Sequence, residues 1–163
     1  PSTAGYLQLV SEVMTRLSSA HNIRCIAIGA RPDQLLGTPF QAEPWSEDTE
    51  VESIHRMDIG IMPLPDTPWE RGKCGYKLIQ YMACGLPVVA SPVGVNTDIV
   101  DEGQSGFLAA TSEAWIQSLE HLIADAALRK RMGIVGRQRV EREFCSQVQG
   151  PRLVGLLQRL VAS

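Results

Sequence analysis

Apolar residues recur along the chain in blocks whose period switches from helical to extended and back. Tyr6, Leu7, Val10, Val13, Met14 and Leu17 fall at helical spacing, which predicts an opening helix capped by Ser2 or Thr3 and ending near His21 and Asn22. Glu12 and Arg16 stand one turn apart on its outer side. The run IRCIAIG at residues 23–29 then reads as a strand. Pro32, Asp33 and Gly37 mark residues 30–38 as a loop, and a second, shorter strand covers residues 40–45. Residues 47–56 read as a helix, with Ser46 as cap and Glu47, Asp48, Glu50 and Glu52 as an acidic first turn that suits the helix dipole. IGIMPL at residues 59–64 is the third strand, followed by the turn-rich PDTPWERG.

The alternation continues in the second half. Residues 76–84 form a short helix stopped by Gly85 and Pro87, residues 88–91 a buried strand, residues 98–100 a helical turn, and residues 106–109 a last strand after the turn DEGQSG. Trp115, Ile116, Leu119, Leu122 and Ile123 give an amphipathic helix from Ser112. Another covers residues 126–144, and Pro151 starts or kinks a final one carrying Leu153, Leu156, Leu157 and Leu160. Strands alternating with helices predict an α/β fold, a Rossmann-like, doubly wound parallel sheet with its ligand crevice at the carboxyl ends of the strands. Three such ends, Gly29, Leu64 and Ser91, are expected to face one site. Units of this kind lead with a strand, whereas the first element here is a helix. A first strand is therefore expected ahead of it, in a longer polypeptide.

Composition narrows the function classes. With 163 residues and 44% hydrophobic content the chain suits a single domain spanning 1–163. A net charge of -3 argues against nucleic acid as a partner, since backbone binding needs a basic surface. The balance is uneven, because eight of the 15 Lys and Arg residues lie between Arg129 and Arg159. Cys25, Cys74, Cys84 and Cys145 form no CxxC pair, which favours free thiols and a reducing cytoplasm. No run is apolar for the roughly 18 residues a membrane span needs, so any contact with the inner face of a membrane is expected to be peripheral.

The chemistry concentrates at residues 70–92, ERGKCGYKLIQYMACGLPVVASP. Arg71, Lys73 and Lys77 crowd a helix start, where exposed amides already make the dipole end positive and cations are disfavoured. An anion among them, most simply a phosphate, removes the conflict by accepting from the free N–H groups of that helix start. The plain alternative is a helix start whose lysines extend into solvent. With Leu78, Ile79, Met82 and Ala83 on the buried face, Lys77, Gln80 and Tyr81 share another, suited to a phosphate and a neighbouring sugar hydroxyl. Trp45 and Trp69 stand at strand ends, as rim packing or as stacking platforms. Gly72-Lys73 lacks the rest of a nucleotide P-loop, no GxGxxG opens a helix, and His21, His55 and His121 lack metal spacing.

MACGLPVVAS, SPVG and EGQSGFL, in that order, resemble the donor-binding half of a GT-B glycosyltransferase of the large retaining family, whose members carry an EAMAxGxPVVA segment. The resemblance covers most of the chain. It implies the C-terminal domain of a two-domain enzyme, binding a nucleoside diphosphate sugar such as a UDP or GDP sugar, without metal or other cofactor, and transferring a hexosyl group in polysaccharide biosynthesis. The partner is an N-terminal acceptor domain, toward which residues 151–161 are expected to pack. The family's ribose-holding glutamate falls on Gln80, and its first glutamate falls on Gly72, leaving Glu70 or Asp66 as the substitute carboxylate. Gly75, Tyr76 and Lys77 would face the distal phosphate, with Lys73 and Arg71 adding charge and Gly29 and Trp45 bordering the base. Glu70 and Lys77 are thus the candidate catalytic residues. A sugar-nucleotide epimerase or a non-catalytic flavodoxin-like interaction domain would share the sheet.

Overall fold

The computed structural model describes residues 3–161. A 3-10 helix over Thr3–Val10 continues as α1, Ser11–Ala20, and leads into β1, Cys25–Ile28. A 3-10 turn at Pro32–Leu35 precedes β2, Phe40–Glu43, then α2, Glu50–His55, and β3, Gly60–Met62. Next come α3, Pro68–Arg71, α4, Tyr76–Ala83, β4, Val88–Ala90, α5, Asn96–Ile99, and β5, Gly106–Leu108. The chain closes with α6, Ser112–Ala124, α7, Ala126–Arg139, a π turn at Val140–Phe144, and α8, Ser146–Val161.

The α/β order and the parallel pairing are as the sequence pattern predicts. Hydrogen bonding, however, divides the strands into two ribbons, β1 with β2 and β3 with β4 and β5, every pair parallel. Helices cover both faces because β4 is apolar on both. Val88, Val89 and Ala90 are each 0% exposed. Val89 packs with Val10, Leu17, Trp115 and Leu122, whereas Val88 and Ala90 pack with Leu78, Met82 and Ile99. Opposite orientation of successive strand side chains produces this split. Full burial of a side chain the size of Leu78 or Met82 contributes about 1.5–3 kcal/mol, so α4 is among the most firmly anchored helices.

Several boundaries differ from expectation. The helix at α2 begins at Glu50, because Ser46 accepts from the Thr49 N–H at 3.3 Å and pairs with the Thr49 hydroxyl at 2.6 Å, holding residues 46–49 as a turn. Ser46 therefore does not cap it. Pro68 starts the one-turn helix α3 inside a stretch read as loop, as proline does at a first helical position. α7 stops being α-helical at Arg139, and Pro151 lies inside α8, which begins at Ser146. Thr111 and Asp125 cap α6 and α7 through the N–H groups of Ala114 and Leu128. Ser2, the alternative opening cap, lies outside the described residues.

Close backbone packing constrains Gly106, where a Cβ would meet the Val88 carbonyl oxygen at 2.2 Å. Gly106→Ala forces β5 away from β4 and lowers stability by about 1–3 kcal/mol, read as a lower urea midpoint with an unchanged slope.

Candidate functional site

The site begins at the start of α4. Gly75 holds φ 65° at the N-cap, and a Cβ there would lie 2.3 Å from Ile99 Cδ1, so handedness and packing both demand glycine. No side chain caps the helix. Leu78 N–H closes onto the Gly75 carbonyl at 2.9 Å and Lys73 N–H onto Glu70 at 3.1 Å, but the amides of Gly75, Tyr76 and Lys77 meet no acceptor among the described residues. Three adjacent donors at a positive dipole end suit an anion. The Tyr76 side chain is exposed and leaves them open.

Beside this helix end, at the carboxyl ends of β1 and β3, is a cavity of about 200 Å³ bordered by Gly29, Ala30, Glu50, Leu64, Lys73 and Lys77. The third strand end adjoins it, since Ser91 Oγ accepts from the Leu64 N–H at 2.9 Å. Lys73 Nζ lies 5.3 Å from the centre of the Tyr6 ring, a cation–π distance. Lys77 Nζ lies 3.4 Å from Glu50 Oε1, which also accepts from Trp45 Nε1–H at 2.9 Å. The Trp45 hydrogen bond, ahead of Gln80 and Lys77, holds the Glu50 carboxyl below the usual carboxylate range despite its partial burial. Gln80 keeps a buried Oε1 without a partner. Tyr81 lines the same cavity as Lys77. Its ring packs where a Cβ on Gly60 would be, 2.4 Å away, and burial raises its hydroxyl pKa.

Glu70 and Arg71 are engaged elsewhere. Glu70 is buried and accepts from the hydroxyls of Thr67 and Tyr6, which hold its carboxyl below the usual range, Thr67 contributing most. Arg71 makes a two-pronged pair with Asp66, at 2.6 and 3.0 Å, which occupies both the cation and one carboxylate proposed as a substitute. The structure thus brings Gly29, Lys73 and Lys77 to one cavity, ties Trp45 to it through Glu50, and sets Gly75, Tyr76 and Gln80 along the adjoining helix. Glu70 and Arg71 do not line it. Glu50 and Tyr6 were not legible in advance, because four carboxylates crowd residues 47–52 and Tyr6 fits the core pattern of its helix. Among the described residues no three His, Cys, Asp or Glu side chains form a metal cage, and no helix is long and apolar enough to cross a membrane.

Residues 3–125 match the family described as Glycosyl transferases group 1. The chain is 35% identical over 156 residues to the capsular polysaccharide biosynthesis glycosyltransferase CapM of Staphylococcus aureus, covering 88% of this chain and 40% of that protein. Sixty residues are 38% identical to the D-inositol 3-phosphate glycosyltransferase of Stackebrandtia nassauensis, covering 36% and 14% of the two chains. In fold it is similar to a glycosyltransferase from Rickettsia africae, with a TM-score of 0.77, 17% identity, and 99% and 45% of the two chains covered. It is also similar to HepE of Anabaena, solved in complex with UDP-glucose, with a TM-score of 0.70, 16% identity, and 91% and 44% covered. The chain therefore spans less than half the length of these relatives.

The Glu70 pair yields a pH test. A carboxyl titrating lower in the folded than in the unfolded state adds stability above its unfolded pKa, about 4.3 for glutamate, and loses it as pH falls through the folded value. The Tyr6 hydroxyl, bonded to Glu70, is raised, so its share is lost above about pH 10. Tyr6→Phe is therefore less stable than the parent at pH 7, and the gap narrows toward both extremes, as urea midpoints across the pH range will show.

Proposed function

The chain belongs to the Glycosyl transferases group 1 family, and we propose that it is the donor-binding half of a retaining enzyme that transfers a hexosyl group from a nucleoside diphosphate to an acceptor hydroxyl. The observation that carries this reading is the row of unpartnered amides at Gly75, Tyr76 and Lys77 beside the Lys73 and Lys77 ammonium groups. The family, and a fold shared with a protein crystallised with UDP-glucose, support it.

In this reading the distal phosphate accepts from the α4 amides, the base lies toward Gly29 and Trp45, and the ribose lies toward Gln80. Glu50 restores a carboxylate where Gln80 lacks one, and its bond to Trp45 orients the indole. As the glycosidic bond breaks, the electron pair stays on the departing diphosphate. Fixed N–H groups and Lys77 therefore bind the transition state more tightly than the donor. The leaving phosphate itself takes the acceptor's proton, so no dedicated base is needed. Glu70, held by Tyr6 and Thr67, steadies the Tyr6 ring under Lys73 rather than meeting the sugar. The acceptor is bound by the N-terminal half of the longer polypeptide in the cytoplasm. Leu153, Leu156 and Leu157, each about half exposed on α8, face that half, and any membrane contact is peripheral.

A second reading has one observation in its favour. Gly72 replaces the glutamate expected from the family pattern and Glu70 does not line the cavity, as would suit a binding module without transfer.

Calorimetric titration of the full-length protein with UDP, GDP and ADP tests the proposal. Saturable binding of one of them is expected, weakened about 10- to 100-fold by Lys77→Ala through loss of a charge-assisted bond and lost in Gly75→Ala, which turns the amides away. A folded protein that binds none of the three overturns the reading. Binding without donor hydrolysis or transfer identifies a binding module.

A further inference from the structure

Among the described residues that border the cavity at the carboxyl ends of β1 and β3, Glu50 is the single carboxylate. A negative charge is out of place in a pocket suited to a diphosphate, because like charges repel. The protein nevertheless builds it in. Glu50 is the first residue of α2, its side chain is 22% exposed, and three donors converge on it: Trp45 Nε1–H at 2.9 Å, Lys77 Nζ at 3.4 Å and the Gln80 amide. Gln80 keeps its Oε1 buried and unpartnered, so it steadies the carboxylate.

Lys77, Glu50 and Trp45 thereby form one bonded row of cation, carboxylate and indole. Its far end is fixed, since a Cβ on Gly29 would lie 3.2 Å from Trp45 Cβ, yet the Trp45 ring is half exposed and open to stacking. A nucleoside diphosphate presents its groups in the same order, as a charged phosphate, a ribose with two adjacent hydroxyls, and a flat base. With phosphate on Lys77 and base on Trp45, the ribose lies against Glu50. The acceptor count agrees. A carboxylate offers about four acceptor positions, of which the protein's donors engage three; the longest bond is that to Lys77, and a phosphate draws this ammonium away, leaving about two positions for the two ribose O–H donors.

We propose that Glu50 makes the site selective for ribonucleotides, its carboxylate exchanging Lys77 for the two ribose hydroxyls as a nucleoside diphosphate binds. This role rests on the donor-binding reading and adds to it a residue and a requirement for both hydroxyls. Glu50 then acts in two opposed ways. Toward a bare diphosphate it is a competitor, because it neutralises Lys77. Toward a ribonucleoside diphosphate it is a partner, because the hydroxyls replace the bond that Lys77 gives up.

Calorimetry on the full-length protein reads these opposed effects directly. Glu50→Gln keeps an acceptor for Trp45 Nε1–H but removes the charge. Whichever of UDP, GDP and ADP binds the parent most tightly is expected to bind the variant about tenfold more weakly, whereas inorganic pyrophosphate, which has no ribose, binds it about two- to fivefold more tightly because Lys77 has lost its counter-ion. The parent is expected to prefer the ribose form of that nucleotide over its 2′-deoxy counterpart by about 10- to 100-fold, and the variant by no more than about threefold. A substitution that merely loosens the fold weakens both ligands, and one that only frees Lys77 strengthens both. Either result, or equal binding of ribose and deoxyribose forms to the parent, overturns the role of Glu50 and leaves donor binding standing. A folded protein that binds no nucleoside diphosphate overturns both.

Discussion

The packing of Gly75 against Ile99 is the constraint on which the site depends. A left-handed residue at the N-cap turns three successive amides outward, and contact with Ile99 leaves the turn no room to relax. Ile99 belongs to the cluster of Leu78, Met82, Val88 and Ala90. The donor row is thus fixed by the same burial that anchors α4 to β4. Donors that are to hold an anion must keep their geometry, and here rigidity comes from core packing rather than from a capping side chain that would compete for the amides.

Charge in the cavity is arranged so that neither lysine is wholly satisfied. Lys73 rests against the Tyr6 ring, which attracts a cation without neutralising it. Lys77 reaches Glu50 only at 3.4 Å, and that carboxylate is already engaged by Trp45 at 2.9 Å. Arg71 is the contrasting case, since its two-pronged pair with Asp66 leaves little reason to turn toward a ligand. Three cations clustered in sequence therefore divide in space, and pairing geometry decides which remain available.

Much of the fold was legible because its signals are local. Periodicity identified the five strands, each to within a few residues, and the Gly85 and Pro87 stop placed α4 almost to the residue. Failures came where a turn competes with a helix, as at Ser46 and Thr49, or where proline starts a single turn, as at Pro68. Of the site, the α4 start and the two lysines were visible as a conflict between charge and dipole. Glu50 and Tyr6 were not, because their roles come from contacts with Lys77, 27 residues away, and Glu70, 64 residues away, which no local pattern encodes. Arg71 and Glu70 looked functional for the converse reason, since their partners Asp66, Thr67 and Tyr6 could not be assigned before the loop was seen.

One accounting rule reads differently at the two places where backbone groups lack partners. At the α4 start the donors sit at an open helix end, where water satisfies them at little cost and an anion can displace it. Between β1 and β3 the facing groups lie along two strand edges beside the partly buried Ile26, Ile28 and Ile61, where an anion is a poor substitute for a ladder. The two meet at the carboxyl ends of the strands, where one cavity touches both Lys73 and Ile28.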